Sequence, residues 1–69
     1  MSYYNVQFMG ARNPISGDVH VFEADSMQQA AEDAACCINA AAGEYAYIYP
    51  EGMDFAEAYE RDLLHMVRG

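Results

Sequence analysis

The sequence predicts a small α+β domain with the element order β-β-α-β-α, in which a three-stranded, mostly antiparallel sheet carries two helices on one face. The 69-residue chain has room for one hydrophobic core, so we expect a single domain over residues 1–69. Hydrophobic residues make up 54% of the chain, enough to fold it despite a net charge of −8. Apolar residues alternate in three short segments and recur at helical spacing in two others.

The first two strands are predicted on either side of a turn. Residues 3–9 alternate apolar or aromatic with polar side chains, as a half-buried strand does. Residues 10–17 contain two glycines, an Asn-Pro and a Ser-Gly, which are typical of a turn. Residues 18–24 place two valines on one side and His20 and Phe22 on the other. We expect the two strands to form a β-hairpin.

The first helix is predicted from residue 26 to about residue 42. Asp25 or Ser26 can cap its N-terminus, and Ser26 has Gln29 three residues later, as in a capping box. Its predicted buried face is nearly all alanine, which permits close packing on the sheet. Gly43 is expected to end the helix.

The third strand is predicted over residues 44–49, where three tyrosines alternate with Ala46 and Ile48 before Pro50. If Ala46 and Ile48 face the helices, Tyr45 and Tyr47 lie on the opposite, partly exposed face, together with Tyr49.

A second helix is predicted to close the chain. Asp54 and Glu57 form a capping pattern, and Glu57 has the i,i+4 spacing for an ion pair with Arg61. The apolar stripe of this helix is predicted to run from Phe55 to the end of the chain, through Tyr59, Leu63 and Met66 or Val67.

The sequence predicts no enzyme, no metal site and no cofactor. His20 and His65 lie on different elements, without partners at metal-ligand spacing. Cys36 and Cys37 are adjacent in a predicted helix, so they cannot easily bridge each other and are expected to be free thiols. Phosphate-binding loops and nucleophile motifs are absent, and the carboxylate pairs are more typical of a solvated face.

The charge balance predicts the kind of partner. Eleven acidic residues against three basic ones exclude ordinary binding to a phosphate backbone and favour a basic protein surface. Carboxylates can stand in for phosphates in a groove that normally holds nucleic acid. Tyrosine is enriched at protein interfaces. The candidate contact residues are Asp25, Glu32, Asp33, Glu57, Glu60, Tyr45 and Tyr47.

No apolar run approaches the ~20 residues of a membrane span, and no signal-peptide pattern precedes the first strand. We therefore expect a cytoplasmic protein that does not bind membranes.

Residues 21–26, VFEADS, lead into a helix with alanines at 30, 31, 34 and 35, a pattern that resembles small phage-encoded proteins. In size, acidity and element order the chain is most similar to anti-CRISPR proteins that inhibit type I effector complexes, with type I-C as one candidate target. The resemblance covers the whole chain as architecture and transfers no binding residues. It implies a non-catalytic protein of the bacterial cytoplasm that occupies a basic DNA-recognition surface of the complex, such as the PAM-reading subunit, and competes with target DNA.

The residues leave two other functions open. The protein could be a small phage structural or adaptor module that self-associates through the tyrosine face, or a regulatory enzyme subunit. The expected state is a monomer or a weak homodimer.

Overall fold

A computed structural model describes residues 1–10 and 19–68. Four antiparallel strands form one sheet in the order β2-β1-β3-β4. The predicted turn over residues 10–17 lies almost wholly outside the described residues. The elements are β1 (Ser2–Met9), β2 (Val19–Ala24), α1 (Met27–Ala35), a 3-10 turn (Ala40–Ala42), β3 (Tyr45–Pro50), α2 (Phe55–Glu60) and β4 (His65–Arg68).

The three predicted strands are confirmed, but the prediction of only three was wrong. Residues 65–68, expected at the end of the second helix, form β4 and pair with the outer edge of β3. Helix α2 ends after six residues because Asp62 adopts a left-handed backbone conformation, with φ of 59°. The Leu63 N–H donates to the Ala58 carbonyl at 2.9 Å and closes the helix end. Pairing with β3 then supplies the backbone of the last residues with hydrogen bonds.

Helix α1 begins where the sequence predicts and ends earlier. The Ser26 hydroxyl accepts a hydrogen bond from the Gln29 N–H at 3.1 Å, as expected for an N-cap. The helix stops at Ala35 instead of about residue 42. Asn39 is extended and caps a separate 3-10 turn, and Gly43, with φ of 79°, ends that turn.

The core lies between α1 and the sheet. Ala30 and Ala34 on α1 are fully buried, as are Val6 on β1 and Ile48 on β3, the two largest side chains with no exposure. The predicted alanine face is therefore confirmed. Because alanine has no side chain beyond Cβ, the helix can approach the sheet closely. Neither α-helix in the described part of the chain is long and apolar enough to cross a membrane.

The two helices do not share one face of the sheet, so that part of the prediction was wrong. Helix α1 packs in a cluster with Ala46 and Ile48. Phe55, the first residue of α2, instead contacts Tyr47 and Tyr49, with ring centroids 5.1 and 6.2 Å apart. Successive side chains of a strand point to opposite faces, so α2 begins on the side away from α1.

Candidate partner-binding surfaces

The predicted acidic contact residues fall into two groups. Glu32 and Asp33 lie exposed on α1, and Asp25 is exposed just before it. Glu57 and Glu60 lie on α2. Because α1 and α2 pack on opposite sides of the sheet, the structure separates Glu32 and Asp33 from Glu57 and Glu60. Asp25 lies at the start of α1, about two helical turns before Glu32.

Most of the negative charge has no ionic partner nearby. Among residues 1–10 and 19–68, the one ion pair joins Arg61 to Glu57 at 3.1 Å, as predicted from their spacing. Both side chains are largely exposed, so the pair contributes only about 0.3–0.5 kcal/mol. Every other described carboxylate is exposed except Glu44, which is half-buried.

The three tyrosines of β3 share the face predicted for them, and two of them are more accessible than the third. Tyr45 and Tyr47 are half-buried and pack edge to face with centroids 5.6 Å apart. Tyr49 is 3% exposed, and the Phe55 ring packs edge to face against it. Asn5 on β1 donates to the Met53 carbonyl of the turn before α2 at 3.3 Å and fastens that turn to the sheet. Of the three tyrosines of β3, Tyr45 and Tyr47 are therefore the more accessible.

Burial, and secondarily the negative charge of Asp54, raises the pKa of the Tyr49 hydroxyl above its usual value of 10.0. The unfolded chain therefore loses this proton first. The stability linked to Tyr49 is complete below the unfolded pKa and is lost as pH rises through the folded pKa.

We expect Tyr49 to give a late component, above the usual tyrosine range, in a near-ultraviolet titration of tyrosinate absorbance. The variant Tyr49→Phe keeps the ring and should lack that late component. Tyr3→Phe, at a position 53% exposed, is the control and should retain it. An unchanged late component in Tyr49→Phe would contradict the assignment.

The sheet also exposes apolar side chains that the sequence did not identify as a surface. On the side away from α1, the strand register aligns Val19, Gln7, Tyr47 and Met66 in a row across all four strands. Val19 and Met66 are 46% and 45% exposed. We call this the open face and define it by Tyr3, Gln7, Val19, Val21, Tyr45, Tyr47 and Met66. The alternation of residues 44–49 predicted that Tyr45 and Tyr47 lie on this face. Val19, Val21 and Met66 share it because of the order in which the strands pair.

A cavity of about 340 Å³ opens on the α1 side of the sheet. Its walls come from β1, from β2 and from the segment between α1 and β3. The sequence carries no signal for it, since its walls come from segments far apart in the chain. They are formed by Phe8, Met9, His20, Phe22, Cys37, Ile38 and Glu44.

Cys36 and Cys37 are both free and exposed. Free thiols were predicted, but the prediction that both cysteines lie within a helix was wrong, because α1 ends at Ala35. Within the residues that the structure describes, no group of three or more His, Cys, Asp or Glu side chains could hold a metal ion.

Comparison with known proteins supplies no relative: no family model, curated protein or solved structure matches the chain.

Proposed function

We propose that this protein is a non-catalytic inhibitor that presents carboxylates to a basic nucleic-acid-binding surface of another protein. The observation that carries the proposal is the exposed, uncompensated negative charge of the described residues, which have ten carboxylates and one ion pair between them. The resemblance to anti-CRISPR proteins suggests a type I CRISPR effector complex as the target and target DNA as the displaced ligand.

Helix α1 is the better of the two acidic regions for such contacts. Its position is fixed by Ala30 and Ala34, which are fully buried against the sheet. Glu32 and Asp33 project from the same helix into solvent. A rigid helix loses little backbone conformational entropy when a partner binds, and its carboxylates match guanidinium and ammonium groups of a basic groove.

Helix α2 is less suited to contacts with a basic partner. It has only six residues, and Glu57 already pairs with Arg61. Its charges add to the long-range attraction that speeds encounter with a basic partner.

The direct test measures binding of target DNA by a purified type I-C effector complex in a gel-shift assay, with and without excess protein. We expect the protein to reduce the bound DNA, and the reduction to weaken as salt rises. Normal DNA binding in the presence of a large excess would contradict the proposed target.

Two matched double variants test which acidic region makes contact. Glu32→Gln with Asp33→Asn removes two charges from α1, and Glu60→Gln with Asp62→Asn removes two beside α2. Asparagine tolerates the left-handed conformation found at Asp62. Since one close charge pair at an interface couples by about 1.5 kcal/mol or more, losing even one of the two should make the α1 variant inhibit at least about tenfold less well. The α2 variant should change inhibition little. Equal effects from both would mean that only net charge matters.

The open face favours a second candidate function, a structural or adaptor module that self-associates. Tyr3 and Val21 are each 53% exposed on this face, which also carries the exposed Val19 and Met66. Exposed apolar clusters of this kind are typical of protein interfaces. A homodimer of this type would form at high salt in sedimentation equilibrium, whereas the charge-driven complex would dissociate.

A further inference from the structure

The cavity on the α1 side combines aromatic walls with one acidic group. Phe8 contacts His20 and Phe22, with ring centroids 5.4 and 6.2 Å apart, so three rings from β1 and β2 form one side. Ile38 lines the cavity from the segment after α1. At about 340 Å³ the space lies at the lower end of the range of small-ligand sites, roughly 300–1,000 Å³.

Glu44 is the carboxylate at this cavity, and its position is set by the backbone. Its Oε1 accepts a hydrogen bond from the Asn39 N–H at 2.9 Å, and its side chain is half-buried. Arg68 lines a smaller cavity of about 170 Å³ that also borders Glu44. The two side chains are nevertheless not within ion-pair distance, since the one pair among the described residues is Glu57–Arg61. Arg68 therefore does not neutralise the Glu44 carboxylate.

We propose that this cavity receives an arginine side chain of the basic partner. The guanidinium group is planar, stacks on aromatic rings and donates hydrogen bonds to a carboxylate, while its aliphatic stem packs on apolar side chains. The cavity walls offer a partner for each part of an arginine side chain. The rings of Phe8 and Phe22 can stack on the guanidinium plane, Ile38 can pack on the aliphatic stem, and Glu44 can accept from the charged group. The inference rests on the proposed function in taking the partner to be basic, and it adds an anchoring site separate from the carboxylates of α1.

The test titrates the ¹⁵N-labelled protein with arginine blocked at both termini and follows amide chemical shifts by NMR. Blocked citrulline, the neutral isostere of arginine, is the matched control. We expect saturable shifts near Phe8, Phe22, Ile38 and Glu44 with arginine. Binding of citrulline should be about tenfold weaker, because hydrogen bonds to charged groups contribute more than neutral ones.

Two variants test whether Glu44 supplies the negative charge that binds arginine. Glu44→Gln keeps an acceptor for the Asn39 N–H and should make arginine bind as weakly as citrulline. Glu51→Gln removes an exposed carboxylate at the other end of β3 and should change neither titration.

The inference is overturned if arginine produces no localised shifts, if citrulline binds equally well, or if Glu44→Gln leaves arginine binding unchanged. Tighter binding of blocked lysine than of arginine would overturn the choice of a guanidinium. Because the titration involves no protein partner, its failure leaves the inhibition assay as a separate test of the proposed function.

Discussion

Replacing Ile48 with alanine is expected to lower the free energy of unfolding by about 2–5 kcal/mol, the range for large-to-small changes in protein cores. Ile48 has no exposed surface and lies beside Val6 in the strand register. The alanines of α1 cannot shift enough to fill the space, so a cavity remains. A chain of this length has a free energy of unfolding of only roughly 3–10 kcal/mol, so the variant should be largely unfolded near the melting temperature of the wild type.

Urea denaturation followed by circular dichroism measures this effect. Ile48→Val, which removes a single methyl group, is the graded control and should cost about 0.5–1.5 kcal/mol. Val21→Ala, at a position 53% exposed on the open face, should cost much less. A loss for Ile48→Ala no greater than that for Val21→Ala would show that Ile48 is not central to the core.

Enlarging Ala34 to leucine is expected to destabilise the protein by about 1–3 kcal/mol or more, although leucine is a good helix former. Ala34 is fully buried between α1 and the sheet. Three additional methylene-sized groups at this position would push the helix away from β3 and expose Ile48.

Gln28→Leu introduces the same side chain on the exposed side of α1 and is the matched control. Its melting temperature should stay close to that of the wild type. If Ala34→Leu melted at the same temperature as Gln28→Leu, the close approach of helix and sheet would be refuted.

Local patterns predicted most of the secondary structure because they depend on neighbouring residues. The alternation in β1 and β3 and the cap formed by Ser26 are confirmed. The cap of α2 is also confirmed, with the Asp54 Oδ1 accepting from the Glu57 N–H at 2.7 Å. Each of these features involves residues close in sequence or on one strand.

The errors at the end of the chain have a common cause. The spacing of Phe55, Tyr59 and Leu63 fits a helix stripe, yet Tyr59 is 71% exposed and Leu63 is 40% exposed. In the structure Phe55 packs against Tyr47 and Tyr49, and the chain turns at Asp62. Periodicity could not show that the edge of β3 was available to pair with residues 65–68, because that edge exists only once the sheet has formed.

The candidate binding surfaces were likewise predicted only in part from the sequence. The sequence identified the carboxylates of α1 and the face occupied by Tyr45 and Tyr47. It could not separate Glu57 and Glu60 from the α1 group, because their separation depends on which side of the sheet each helix packs.

By itself, the sequence determined an acidic α+β domain with an alanine-faced helix, since composition, alternation and capping act over short distances. The tertiary structure decided that the sheet has four strands, that α2 begins on the face away from α1, and that Glu44 borders an aromatic cavity. These features arise from contacts between residues distant in sequence, where backbone pairing and burial outweigh local preference. Within the residues that the structure describes, the acidic charge includes the exposed carboxylates of α1, the Glu57–Arg61 pair of α2 and the half-buried Glu44 at the cavity.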